Sequence, residues 1–281
     1  MTTASTEGSP PGATPPGASP SGGSPSGGPR GGEATAAERP GRRSLARYLF
    51  MPALLAVVLV VLFVWLGNND LTTTARRRVQ LDFVLSSGLE HVVLTAVSTV
   101  LVLVIAIPTG ILLTRPFARR VTPAAIAVFN VGQGIPSIGL IALFAIAWTI
   151  GFWPVIVGLV AYSVLPVLRN TMVGLEQVDA SVIESARGMG MTRLTVLSKI
   201  ELPLAVPVIM AGVRTALVIN VGTATLAAFF GAGGLGLIIN TGITRSDELI
   251  TVTGSVLVAV LALFIDYLAG VAEDLLRPRG L

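Results

Sequence analysis

Apolar residues come in long runs along this chain, and charge is confined to the short gaps between them. The runs at residues 48–66, 91–114, 153–175, 204–230 and 249–272 are each about as long as the roughly 20 residues a helix needs to cross a bilayer. A further run, 122–150, is long enough but carries NVGQGIPS in its middle. The alternating pattern of a membrane barrel is absent, which leaves helices as the structure able to satisfy its own backbone in lipid. The pattern therefore predicts an all-α polytopic membrane protein of about six transmembrane helices.

Composition agrees. Of 281 residues, 52% are hydrophobic and 12% charged, and the mean hydropathy is +0.80; a soluble domain carries roughly a quarter charged residues. The net charge of +4 comes almost wholly from arginine, Lys199 being the single lysine. Those arginines flank the apolar runs, so orientation in a membrane accounts for them and a nucleic-acid partner is not needed. Cysteine is absent and histidine occurs once, as His91, which excludes a disulfide framework or thiolate metal site. No metal and no cofactor is expected. Residues 1–44 are rich in Pro, Gly and Ser and read as a disordered tail. The run at 48–66 is longer than a signal peptide's apolar region and ends WLGNND, so it reads as a retained anchor.

Six spans put both termini on one side, the cytoplasmic side of the cell membrane by the arginine rule, with Arg42, Arg43, Arg47, Arg115, Arg119 and Arg120 facing inward. One cluster disagrees: Arg76, Arg77 and Arg78 fall on the outer side.

ESARGMGMTRLTVLSKIELP, residues 184–203, is the most polar stretch between two runs. Ile183, Ala186, Gly190, Leu194 and Leu197 recur at steps of three and four, predicting a helical stripe, with Glu184, Arg187 and Arg193 off it. Two readings fit: an amphipathic helix lying in the interface, or a helix offering one face to a partner's groove.

Glu184-Ser185-Ala186, then Gly190, then Ile200-x-Leu202-Pro203, resembles the "EAA" signature of ABC-importer permeases of type I. Spacing matches throughout; Ser185 replaces the usual second alanine. Further stretches, IPSIGLIAL, VIVGLVAYSVLPVLRNT, ELPLAVPVIMAGVRTA and GTATLAAFFGAGGLG, are similar to the branch that imports glycine betaine, carnitine, choline and related osmoprotectants. The resemblance covers about residues 89–275. It implies a permease domain over 89–275, an additional anchor and outer loop at 45–88 and a cytoplasmic tail at 276–281. It also implies that Glu184, Ser185, Ala186, Arg187, Gly190, Ile200, Leu202 and Pro203 form a coupling helix docking on a separate ATP-binding cassette subunit, so that the chain itself is not an enzyme. A second permease subunit, homo- or heterodimeric, and an extracytoplasmic substrate-binding protein are the other implied partners. A permease for another small solute such as an amino acid, and a secondary transporter, are the alternatives; the second lacks ion-coupling carboxylates in repeated halves.

Polar or helix-breaking residues inside the runs mark a candidate translocation path: Asn130, Gln133, Pro136 and Ser137 in the interrupted run, then Tyr162, Asn220 and Thr223. Packing between helices through small and polar residues explains the same positions equally well. Arg214 lies inside a run, where an unpaired charge is costly. An ion pair with Asp266 is expected first, snorkelling toward the surface second, and a gate third. GAGGLG at 231–236 fits a dinucleotide fingerprint by letter only, because it follows a lipid-type helix rather than a strand; a tight outer turn is expected. Glu90 and His91 are expected at the interface.

Overall fold

The structure, a computed structural model, describes residues 45–276. The whole of the expected tail, residues 1–44, and residues 277–281 lie outside them. Eleven α-helices are present in that range. The first three are α1 (Leu45–Gly67), α2 (Thr73–Arg78) and α3 (Leu81–Leu113). Then come α4 (Thr122–Gly134), α5 (Ser137–Ala147), α6 (Phe152–Glu176), α7 (Ala180–Gly188) and α8 (Arg193–Val196). The chain closes with α9 (Leu202–Ala224), α10 (Gly236–Arg245) and α11 (Glu248–Leu276).

Helices long and apolar enough to cross a membrane are Tyr48–Gly67, Leu81–Leu113, Phe152–Glu176, Arg193–Phe230 and Glu248–Leu276. The interrupted run is not straight: α4 and α5 meet at 96°. The cause is local. Ile135 precedes Pro136 and is driven out of the helical region, to φ −87° and ψ 137°. Pro136 then starts α5 in a new direction.

The core is a three-helix seam of α3, α6 and α9, where Val102, Ala106, Leu165, Leu168, Ile209 and Val213 are buried together. Small residues let these helices close up, as membrane packing favours. A Cβ on Gly110 would meet the Thr171 side chain at 2.9 Å, and one on Gly212 would meet the Pro166 carbonyl oxygen at 2.9 Å. Outside the seam, α1 packs along α11. At one end Leu62 and Leu66 share a buried cluster with Ile250 and Leu257. At the other, the Tyr48 hydroxyl donates to Asp274 Oδ2 at 3.2 Å, and the Tyr267 hydroxyl donates to the Tyr48 carbonyl at 2.9 Å.

These contacts fix the topology. Gly110, near the end of α3, lies against Thr171, near the end of α6, so α3 and α6 finish on the same side. At about 1.5 Å per residue α6 begins roughly 36 Å away, and the α4–α5 pair must carry the chain back across. It therefore counts as one bent crossing. The pairing of Tyr48 with Asp274 and Tyr267 then places the start of α1 beside the end of α11, on the side of the charged segment. Arg76, Arg77 and Arg78 sit on the opposite side, in α2, which is tied to the α10–α11 corner by the Thr72 hydroxyl donating to Asp247 Oδ2 at 3.2 Å.

Two expectations change. α3 begins at Leu81, ten residues before the expected start of that span, so His91 and Glu90 do not mark a helix end at the interface. His91 is fully buried, its Nε2 2.9 Å from the Val221 carbonyl oxygen. Glu90 Oε2 accepts the Gly234 N–H at 2.9 Å. The GAGGLG turn packs on this corner, with Gly231, Gly233 and Gly234 at positive φ. A Cβ on Gly234 would crowd His91 Nδ1 at 3.2 Å, so both dihedral and contact call for glycine.

Candidate coupling segment and translocation face

The charged segment is two short helices joined by a tight corner. Asp179 caps α7, its Oδ1 accepting the Ser181 N–H at 2.8 Å, and that bond holds the Asp179 carboxyl below the usual carboxylate range. At the other end the Gly190 N–H donates to the Arg187 carbonyl at 2.9 Å and the Met191 N–H to the Ala186 carbonyl at 3.2 Å. That pair of bonds is a Schellman ending, which requires a left-handed residue at its centre. Gly190 supplies it, with φ +82°. Thr192 follows at once as the cap of α8, its hydroxyl accepting from the Thr195 N–H at 3.3 Å. The signature glycine is thus the corner itself.

The expected continuous stripe does not survive this corner, because α7 and α8 run in different directions. Ala186 and Val196 point inward and are buried, with Ile183 half-buried. Leu194, expected on the same stripe as Ala186, is 77% exposed, and Met189, off that stripe, is 72% exposed. Glu184, Ser185 and Arg187 are exposed beside them. Outward, then, the segment shows Met189 and Leu194, with Val182 less exposed on α7, rimmed by charge.

After α8 the chain makes a π turn over Leu197–Glu201, in which the Leu202 N–H reaches the Leu197 carbonyl five residues back. Pro203 explains it: the ring has no N–H and collides with the carbonyl four residues before it, so the helix widens just ahead. Ile200, Leu202 and Pro203 are half-buried there. The wider turn swings Glu201 inward, where it is 4% exposed and accepts from Arg115 Nη2 at 2.6 Å and from Nη1 at 3.5 Å. Arg115 follows α3, so this pair bolts the coupling segment to the central seam. Sequence reading missed it; an acidic residue between Ile200 and Leu202, at the entry to an apolar run, was the available signal.

Arg214 and Asp266 lie together. Arg214 Nε donates to Asp266 Oδ1 at 3.0 Å and Nη2 to Oδ2 at 2.8 Å, a two-pronged contact between α9 and α11. Glu273, two turns further along α11, accepts from Nη1 at 3.4 Å.

The proposed path residues divide. Asn130 and Gln133 on α4 bond to α6: Arg169 Nη2 donates to Asn130 Oδ1 at 2.8 Å, and Gln133 Nε2 donates to the Tyr162 carbonyl at 3.1 Å. Pro136 is exposed at the bend, while Ser137, Tyr162 and Thr223 are half-buried. Asn220 is elsewhere. It is fully buried in the α3–α9 seam with Nδ2 donating to Thr99 Oγ1 at 3.1 Å, which keeps it from any solute in this conformation.

A sequence model of the family described as "Binding-protein-dependent transport system inner membrane component" matches residues 106–279, which hold the coupling segment, the Arg214 network and the α4–α6 face. The chain belongs to this family. Among similar family members is the glycine betaine/carnitine/choline transport system permease protein OpuCB of Bacillus subtilis, 40% identical over 68% of this chain and 88% of the relative. The choline transport system permease protein OpuBB of the same organism is 41% identical with the same coverage. The osmoprotectant import permease protein OsmY of Salmonella typhimurium is 40% identical over 75% of this chain and 88% of that protein. Among solved structures, a chain of the MetNI methionine ABC transporter in an inward facing conformation is 26% identical with a TM-score of 0.62, covering 70% of this chain and 97% of that one. The helix α1 and the linker through α2 precede the residues that the family model matches.

Proposed function

We propose that this chain is the membrane-spanning permease subunit of an importer for osmoprotectant quaternary ammonium compounds, driven by a separate ATP-binding cassette subunit. The observation that carries the reading is the coupling segment. A capped helix, a Schellman corner at Gly190 and a second capped helix present Met189 and Leu194 outward. The same segment is tied rigidly to the transmembrane seam through Glu201 and Arg115. A stiff elbow with an uncovered apolar tip transmits motion from a partner to the helices it is fixed to. The names of the relatives supply the solute class.

In this reading residues 89–275 form the permease domain, and residues 45–88 an added anchor and outer loop. The coupling segment and both ends of the chain face the cytoplasm. A second permease subunit and an extracytoplasmic binding protein complete the assembly. Alternating access needs no covalent step in this chain, whose contribution is positional: α6 and α9 flank the coupling segment, and their movement opens or closes the face between α4 and α6.

Reconstituting the chain with its ATPase and binding-protein partners in vesicles tests this. Glycine betaine, carnitine or choline is expected to stimulate ATP hydrolysis and to accumulate inside. Stimulation by an amino acid such as methionine alone would replace the solute class, and solute uptake without the ATPase would overturn the mechanism.

A further inference from the structure

Arg169 stands seven residues before the end of α6, about 10 Å inside that helix. It is exposed, and its one hydrogen bond among the described residues is the one to Asn130. No carboxylate among the described residues lies within ion-pair reach of it. Arg214 is the contrast: it too lies well inside a spanning helix, yet Asp266 and Glu273 both neutralise it. A cation within a membrane span faces water, another chain or a ligand, since lipid does not solvate it.

The surroundings are polar and open. Tyr162, Pro166, Arg169 and Val173 follow at steps of four, three and four, one stripe of α6, half-buried to exposed. Across from them α4 contributes Asn130 and Gln133, while α5, beyond the 96° bend, packs on the first half of α6, Ile141 beside Val155 and Leu159, and leaves this strip uncovered. Asn130 Oδ1 holds one N–H of the guanidinium in place and leaves the others free. A planar fork fixed in this way matches a carboxylate, which it binds through two parallel hydrogen bonds.

Building on the proposed function, we propose that Arg169, oriented by Asn130, recognises the carboxylate of a zwitterionic solute as it crosses the α4–α6 face. Glycine betaine and carnitine carry that carboxylate. Choline does not, and its lone positive charge is repelled there. Arg169 is thus a specificity-determining residue of the permease, acting on solutes already delivered to the membrane. Because the guanidinium is exposed, the contact is weak enough to release the solute onward.

The test is uptake of glycine betaine and of choline, each by the complete transporter in vesicles. Wild-type uptake decides the proposed function, and a wild-type assembly that carries neither solute removes the basis of both claims. With wild-type uptake in hand, Arg169→Gln is expected to lower glycine betaine uptake about tenfold or more, the size of a lost hydrogen bond to a charged group. Choline uptake, where present, is expected to hold or rise, and Arg169→Lys, which keeps the charge without the fork, to recover part of the glycine betaine signal. Equal loss for both solutes would assign Arg169 to packing or to a carboxylate of the second permease subunit, and overturn the proposal. Unchanged glycine betaine uptake, or equal loss in the Lys and Gln variants, would overturn it too.

Discussion

Gly190 has open space where a Cβ would lie and a left-handed backbone, so a substitution there meets a dihedral penalty and little else. For a non-glycine residue that penalty is about 1–2 kcal/mol. It falls on the corner that sets the angle between α7 and α8, not on the membrane core. Gly190→Ala is therefore expected to leave the protein folded and inserted while lowering solute moved per ATP hydrolysed, measured in vesicles. An unchanged ratio would detach the corner from coupling. Legibility differed sharply between single residues. The Arg214–Asp266 contact was readable because a charge in an apolar run needs a partner and Asp266 is the acidic residue inside the run on α11. Arg169 was not read, because its run is apolar enough to absorb one arginine without losing its span character. What distinguishes Arg169 is that no carboxylate among the described residues pairs with it, and that is a fact of three dimensions.

At the scale of elements, the π turn and its ion pair join the coupling segment to the seam. Glu201 is 6% exposed at its side chain and Arg115 27%. Removing one partner of a buried pair strands the other, at a cost of roughly 3–5 kcal/mol in a fully buried site; with Arg115 partly exposed, the lower end is expected. Arg115→Ala should therefore lower the thermal midpoint of the purified protein in detergent more than Arg119→Ala, which removes an exposed arginine on the same connection. Equal shifts would mean that the bolt carries no load. Spans were legible from length and hydropathy, and the α4–α5 bend from Pro136. The start of α3 was not, because Ser86, Ser87, Gly88 and Glu90 dilute its first turns below a lipid-type pattern. The single apolar stripe did not hold either: helical spacing extends across Gly190 in sequence, while the Schellman corner breaks it in space, so Ala186 is buried and Leu194 exposed although the periodicity put them on one face.

Taken whole, the molecule is an uneven one. Its seam of α3, α6 and α9 is densely packed, its charged segment is stiff and uncovered at the tip, and its α4–α6 face is open and polar. Each of the two uncovered surfaces matches a partner that a transport permease needs, a motor at the coupling segment and a passing solute at the open face. Arg76, Arg77 and Arg78 remain on the far side against the usual arginine bias, held there by the α2 contact with the α10–α11 corner. The chain contains no cysteine, so a single introduced thiol reports without background. The most direct measurement uses Met189→Cys in the assembled transporter, with a short thiol cross-linker and, separately, a membrane-impermeant maleimide applied to intact cells. The account predicts a cross-link to the ATP-binding cassette subunit and no labelling from outside. Labelling of intact cells at this position, or its failure to reach the ATPase at any stage of the nucleotide cycle, would contradict it.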